Sequence, residues 1–343
     1  MMIRRTFKHI KICVRNAIVT VVTPPVLWCL GGLSRKRAAS LARMTAGVVS
    51  FFRFKSFRTA LANLAIAFPE KTDEERRTLA KRSLANVVLT GLEVIRLLKH
   101  PTELKGMMSP LSQELLDMCL GKAVIICLPH LGNWEVLGQA APLFGIDSSA
   151  VAEPLGNRKL NDMLIAAREH NGLKIIPRVG AARKVLHALH QKQTVGILVD
   201  QNVTPRDGGI FANFFGLPVT MSPLPAILAR RLRIPILVAA SVRMDDGTFK
   251  VVSRKLPKDI SEYVVDGELS QDILDLFTEL IREYPEQYTW LYHRWQYIPG
   301  NASEALEKAY PPYAKKRPYE AKPQVLAAAE AALKQPKQPS EQK

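Results

Sequence analysis

His130 and Glu135 stand five residues apart in the run HLGNWE, and they carry the chemistry most easily read from this chain. A histidine titrates near neutral pH without a large shift, so it can take the proton from a hydroxyl as that oxygen attacks an electrophile. A carboxylate within reach would fix the imidazole tautomer and stabilise the imidazolium that forms. Their placement favours this reading over a capping histidine beside a surface glutamate. An apolar run reading as a strand ends at Pro129, His130 follows at once, and Gly132-Asn133 opens a helix. His130 thus falls at the carboxyl end of a strand, the edge at which open α/β sheets bind ligands. Glu135, in the first helical turn, is expected to curl back to the imidazole.

The elements that must hold these residues begin near residue 120. From there, short β-branched runs alternate with helical stretches: AVIICL, helix 133–144, SSAVA, helix 157–171, LKIIP, helix 180–191 and TVGILVD. Continuous apolar strands separated by helices predict an α/β fold with a mixed, largely parallel sheet flanked by helices. IPILVAASV and TFKVVSR are later strands, and Asp246-Gly247 between them predicts a hairpin that adds antiparallel pairing. Upstream, Thr72 and Glu75 predict a capping box opening a helix that runs to Leu98. A further helix is expected near 270–284. From Asn301 an Ala/Lys/Pro/Gln/Glu bias predicts a largely disordered tail with at most a short helix at VLAAAEAALK. The expected division is a basic, apolar anchoring region over 1–60, the α/β domain over 61–300 and the tail over 301–343.

The chain of 343 residues carries a net charge of +17, which predicts an anionic partner. No Asp or Glu occurs before Glu70, while twelve Lys and Arg lie between Arg4 and Arg58 among long apolar stretches. Apolar residues beside cations suit a helix sunk to the headgroup boundary of an anionic membrane. The run AIVTVVTPPVLWCL at 17–30 is short for a spanning helix and is broken by Pro24 and Pro25, so a monotopic or re-entrant anchor is expected, and residues 35–58 read as one amphipathic helix. No small-residue cleavage site follows to mark a signal peptide. Cys13, Cys29, Cys119 and Cys127 have neither a CxxC pair nor metal-ligand spacing and fit buried thiols of a reducing compartment; no metal is expected.

HLGNWE resembles the H-x-x-x-x-[DE] signature of the bacterial lipid A late acyltransferases, within the lysophospholipid acyltransferase-like group. EPLGNRKLNDMLIAAREHNG resembles the family segment in which an arginine precedes a glycine, falling here on Arg168 and Gly172. VDQNVTPRDGGIFANFFGLPVT resembles the next block, with Asp200, Gln201 and the Phe214-Phe215-Gly216 run, and PEQYTWLYHRWQ resembles the terminal one. The blocks cover about 60–300 in the expected order. The resemblance implies transfer of a fatty acyl group from a thioester, usually on acyl carrier protein and otherwise on coenzyme A, to a saccharide-linked lipid. It implies the cytoplasmic face of the inner membrane, with anionic membrane lipids and acyl carrier protein as partners and no bound cofactor. The acceptor hydroxyl would attack the thioester directly, with His130 as base and Glu135 as its orienting acid. Arg168, Asp200, Asn133 and Gln201 form the candidate substrate-binding set. Arg168 has a competing role as a helix C-terminal cation and Asp200 as a turn cap. Phe214, Phe215 and the cluster Trp290, His293, Arg294 and Trp295 read as packing, with an acyl-channel wall and a lipid interface as the respective alternatives.

One departure bears on the acceptor. Where the lipid A enzymes commonly have Tyr-Arg-Pro, this chain has Ala152-Glu153-Pro154, a pattern similar to that of the mannoside acyltransferases of phosphatidylinositol glycolipids. An acid in place of a base would repel a phosphate that arginine would clamp. A phosphatidylinositol mannoside-like glycolipid or a lysophospholipid is therefore the alternative acceptor. A basic binding protein without catalysis is the alternative of another class, but no RNA-module or zinc-finger pattern appears, and nucleic acid is not an expected partner. GxGxxG, GxxxxGK[ST] and G-x-S-x-G are all absent from the sequence, which disfavours nucleotide-dependent enzymes and nucleophile-elbow hydrolases.

Overall fold

The structure, a computed structural model, describes residues 25–334. Its centre is a six-stranded sheet built from β1 (Val124–Leu128), β2 (Ser148–Ala152), β3 (Lys174–Pro177), β4 (Thr194–Leu198), β7 (Ile236–Arg243) and β8 (Phe249–Lys255), in the order β3-β2-β4-β1-β7-β8. All neighbours are parallel except β7 and β8. The expected mixed, largely parallel sheet is therefore present, and Asp246-Gly247 does turn the β7–β8 hairpin, with Gly247 at φ +79°. A separate hairpin, β5 (Ile210–Phe214) and β6 (Leu217–Met221), was not foreseen from sequence. Its two-residue loop is Phe215-Gly216 at φ +49° and +79°, the double positive φ that a tight hairpin matching strand twist requires. The FFG run is thus a strand end and its turn, and Phe214 packs in the core against Trp295 and Tyr288.

The helices that matter to the site are α1 (Arg35–Phe51), α2 (Lys55–Ala67), α3 (Asp73–Lys99), α4 (Gln113–Cys119), α5 (Trp134–Ala140), α6 (Arg158–Glu169), α7 (Ala181–His190), α8 (Leu224–Leu232), α9 (Asp266–Glu283) and α10 (Pro323–Lys334). Thr72 caps α3 through a complete capping box with Glu75. The single helix expected over 35–58 is instead α1 and α2, because the chain turns at Phe52–Phe54 with Arg53 at φ +49°. Odd-numbered positions of β1 (Ile125, Cys127) and their neighbours Val195, Ile197, Val238 and Ala240 face the main core, which α9 covers with Leu269, Ile273, Phe277 and Leu280. The opposite face of the sheet looks under α4 and α5.

The tail expected to be disordered is packed over 301–334. Leu306, Tyr310 and Ala329 are buried, Tyr310 donates to the Pro218 carbonyl at 2.8 Å, and Asn213 on β5 donates to the Val325 carbonyl at 3.0 Å. Composition misled here because a few buried residues suffice to dock an otherwise polar segment. The anchor expected at 17–30 lies largely outside the described residues; residues 25–31 are helical. Among the described residues no helix is long and apolar enough to cross a membrane. Cys119 and Cys127 are buried, whereas Cys29 is exposed; Cys13 lies outside the described residues.

Candidate active site

Register brings the site together. β1 and β4 are adjacent and parallel with Leu128 opposite Leu198, so the residues two beyond each strand, His130 and Asp200, emerge side by side at the same sheet edge. Asp200 is 2% exposed and takes two hydrogen bonds from one residue: the His130 amide donates to Oδ2 at 2.8 Å, and His130 Nδ1 lies 2.6 Å from Oδ1. With Nδ1–H directed at the carboxylate, the imidazole lone pair sits on Nε2, which faces Gln201 Nε2 at 3.3 Å. Burial opposes charging of the ring. Asp200, by its charge and its hydrogen bond, and Glu135, by its charge, outweigh that and raise the His130 pKa above the ordinary histidine value. Burial would likewise raise the Asp200 carboxyl, but His130 and the buried Arg294 hold it below the usual range.

Glu135 does not reach the imidazole as the sequence reading expected. Its carboxylate is held by Arg168 in a bidentate pair, with Nε at 2.8 Å and Nη2 at 2.6 Å. The carboxylate that meets His130 Nδ1 is that of Asp200. The physical reason is the helix geometry: the first turn of α5 points Glu135 toward the end of α6, where Arg168 can fork both oxygens, while a strand register no sequence window contains supplies the closer acid. Arg168 therefore belongs to the site through Glu135, and both line the same cavity as His130 and Gln201. Asn133 is buried and structural in its contacts: its side chain caps α5 at the Val136 amide (3.1 Å) and donates to Glu93 at 2.8 Å.

The loop from His130 to Asn133 is pinned on all sides. Thr289 donates to the His130 carbonyl from both its amide (3.0 Å) and hydroxyl (3.1 Å), and Thr90 donates to the Gly132 carbonyl at 3.1 Å. The Gly132 amide donates to the Gln287 carbonyl and the Asn133 amide to the Ser241 carbonyl. Gly132 is at φ +66°, and a Cβ there would fall 1.9 Å from the Ser241 oxygen, so only glycine fits. Behind the loop, Glu93 pairs with Arg243, which fixes α3 to β7 beside the site. The Trp134 ring meets the His130 ring edge-on at 4.7 Å between centroids.

Sequence reasoning treated Arg294 as packing, and its burial agrees, yet it also serves the site. It donates from Nη1 to the Asn202 side chain and to the Thr220 carbonyl, both at 2.7 Å, bracing the loop that carries Asp200 and Gln201. Its Nε and Nη2 have no hydrogen-bond partner among the described residues, and its charge reaches Asp200. The signal in the sequence was the basic residue itself, between two tryptophans in an aromatic run where a cation needs a reason.

A cavity of about 1050 Å³ opens beside His130. Its mouth carries His130, Glu135, Arg168, Gln201, Glu153 and Arg178. Glu153 and Arg178 form an exposed ion pair at 2.9 Å, so the acid that replaces the family's arginine does not face the mouth uncompensated. The body runs back over the sheet face, floored by Ile126, Leu128, Ala150, Gly196 and Ala239 and roofed by Leu115, Leu137, Ala140 and Phe144. Small residues at 150, 196 and 239 leave the room. From His130 back to the level of Val124 the floor extends six residues, about 20 Å at about 3.3 Å per residue. A deep apolar slot with a base at its mouth can shelter a long hydrocarbon while its polar end is attacked.

The sequence profile described as bacterial lipid A biosynthesis acyltransferase matches residues 7–297. Among curated proteins, the chain is similar to the phosphatidylinositol mannoside acyltransferase of Mycolicibacterium smegmatis, at 24% identity over 179 residues, which is 51% of this chain and 57% of that protein. It is also similar to the phosphatidylinositol mannoside acyltransferase of Mycobacterium tuberculosis, at 30% identity over 33% of this chain and 37% of that one. A further relative, lipid A biosynthesis acyltransferase 2 of Shigella flexneri, is 21% identical over 69% of this chain and 76% of that one. The mycobacterial matches thus span less than two thirds of those relatives' length, while the family profile takes in every block from which the cavity mouth and the His130–Asp200 pair are built. This chain belongs to the bacterial lipid A biosynthesis acyltransferase family.

Proposed function

We propose that the protein transfers a fatty acyl group from a thioester, carried by acyl carrier protein or coenzyme A, to a hydroxyl of a lipid A precursor or a related glycolipid. The observation that carries this reading is a base with its lone pair on Nε2 at the mouth of an apolar slot about 20 Å deep. The acyl chain lies in the slot, where each methylene taken from water contributes about 0.8 kcal/mol. His130 Nε2 takes the acceptor hydroxyl proton as the oxygen attacks the thioester carbonyl, and Asp200 stabilises the imidazolium. The carbon–sulfur bond then breaks and the thiolate leaves with that proton, giving an ester and a free thiol. The Arg168–Glu135 pair at the mouth orients the polar end of a substrate.

The acceptor reading has two branches. The family profile and the Shigella relative favour lipid A, whereas Glu153 and the mycobacterial relatives favour a mannosylated phosphoinositide. The proposed place is the cytoplasmic face of the inner membrane, and what supports association with a membrane surface is the exposed side of the N-terminal helices. Met44, Val48, Phe51, Phe52 and Phe54 are exposed there beside Arg43, Arg53, Lys55 and Arg58, a surface suited to anionic headgroups. The test incubates membranes carrying wild type or His130→Ala with a labelled acyl carrier protein thioester and a panel of lipid A precursors and phosphoinositide mannosides, read by mass spectrometry. One added acyl group with wild type only supports the reading and names the acceptor. No transfer above control membranes, with donor intact, would sink it.

A further inference from the structure

The cavity does not stay on one face of the sheet. Along β4, Gly196 and Leu198 line the slot, yet Ile197 and Val199, whose side chains alternate to the opposite face, line the same cavity. The space therefore passes over the carboxyl edge of the sheet beside His130 and enters a second arm between the first turns of α7 and α8. Val203, Leu224 and Ile227 wall this arm, and each is only partly buried, so each keeps surface open to it. From Val199 back to Ile197 the arm is about 7 Å deep at about 3.3 Å per residue, a third of the depth of the slot.

Two observations say what enters it. His130 directs Nε2 at Gln201, 3.3 Å away, and the chain continues from Gln201 into Asn202 and Val203 on the arm. The base thus works toward the arm, while the acyl chain takes the slot on the other face. The polar groups around the arm, meanwhile, are engaged or stand outside it. Asn202 Oδ1 accepts from Arg294 at 2.7 Å and its amide donates to the His293 carbonyl at 2.9 Å; the Leu224 amide donates to Ser222 Oγ at 3.3 Å; and Asp207, which is exposed, accepts from the Thr204 hydroxyl at 2.6 Å. A sugar ring pushed into the arm would leave hydroxyls unpaired against Val203, Leu224 and Ile227, whereas a hydrocarbon segment gives up no hydrogen bond there.

We infer that this second arm holds an aliphatic segment of the acceptor lipid, so that donor and acceptor meet at His130 from opposite faces of the sheet. This rests on the reading of the slot as the acyl site. The segment belongs either to the chain that carries the reacting hydroxyl or to a chain beside a sugar that carries it, and the arm offers the same apolar walls to both. Because the arm is short, it grips only the carbons nearest the hydroxyl, and the rest of the chain leaves over the lip.

The experiment varies the acceptor at saturating acyl thioester and reads the product by mass spectrometry. Two pairs are compared: a saccharide bearing a β-hydroxydecanoyl or a β-hydroxybutanoyl group, and a mannoside bearing a decyl or a methyl group. The pair that accepts the acyl group tells whether the hydroxyl sits on a chain or on a sugar. Within that pair, wild type should favour the longer member by about tenfold in kcat/KM, the effect of burying about two methylenes. Ile227→Trp, which fills the arm from α8, and Val203→Phe, which fills it from the loop, should each cut that preference to about twofold or less, by raising KM for the longer acceptor while KM for the thioester holds. Equal use of both members by wild type would overturn the arm as an acceptor subsite while leaving the acyl slot intact. The same follows if the preference survives in both variants with wild-type thermal unfolding midpoints. A raised KM for the thioester with an unchanged KM for the acceptor would give the arm to the donor and also overturn the proposal. Absence of transfer to all four acceptors and to the lipid panel above would remove the acyl-site reading itself.

Discussion

Replacing Asp200 by asparagine tests which carboxylate serves His130. Asp200 meets two donors with two oxygens, the His130 amide on Oδ2 and Nδ1 on Oδ1. Asparagine keeps one oxygen only. If that oxygen accepts from the amide, the new NH2 faces Nδ1, which must then become the acceptor, and the ring proton moves to Nε2. The base then has no lone pair toward the substrate. A wrong tautomer of this kind costs about 10⁴ in kcat in serine proteases, or about 5.5 kcal/mol in barrier, and a loss of that order is expected here. Glu135→Gln disturbs a bidentate ion pair with Arg168 but leaves the imidazole held, so about 10- to 100-fold is expected, the scale of a charged hydrogen bond. The assay is the initial rate at varied thioester concentration, which separates kcat from KM. The pH profile adds a second readout. A base works when neutral, so wild-type activity climbs as pH rises through the elevated His130 pKa; without the Asp200 charge that pKa falls, and the acid limb of the residual activity moves to lower pH. If Asp200→Asn stays within tenfold of wild type, or if Glu135→Gln costs more than Asp200→Asn, the assignment of Asp200 as the orienting acid is refuted.

Three other variants probe the surroundings. Gly132→Ala puts a methyl 1.9 Å from the Ser241 oxygen at a positive φ, so it should displace the catalytic loop, lower the thermal unfolding midpoint by several degrees and cut activity by at least about 100-fold. Gly196→Val sets a branched side chain on the slot floor, where an added Cβ meets only ordinary contacts, and should shift the product toward shorter acyl chains in a mixed-donor assay. Phe51→Ser with Phe52→Ser removes two exposed apolar anchors of α1 and its turn. Cosedimentation with anionic vesicles should fall by about tenfold, and binding of wild type should weaken as salt rises.

The sheet was legible because its central strands β1, β4 and β7 are mainly apolar runs of five to eight residues between turn signals, and the Thr72–Glu75 box marked its helix by chemistry alone. His130 was legible for the same local reason: a strand ended beside it. Its partner was not. Glu135 is near in sequence, and only the register of β1 on β4 makes Asp200, 70 positions further along the chain, nearer in space. The β5–β6 hairpin was hidden because its turn uses Phe215 where Asn or Asp would have announced it. The break between α1 and α2 was hidden because Arg53 takes a positive φ without a glycine. Arg294 looked like packing because its partners, Asn202 and Thr220, sit on loops and strands far away along the chain.

The equal offset of His130 and Asp200 from their strands has a consequence for how such a chain can change length. The dyad depends on two short spacings, Leu128 to His130 and Leu198 to Asp200, and on one alignment between neighbouring strands. Beyond the pinned loop and the Trp134 ring, the chain up to Gln193 enters that geometry through where it returns to the sheet. Insertions in the loops around α6 or α7 would lengthen the excursion without moving either side chain, and could reshape the mouth where an acceptor must fit. A single residue added between Leu198 and Asp200 would turn the carboxylate away from the imidazole while leaving the fold whole. The molecule thus separates a part free to diversify from one that tolerates no slip.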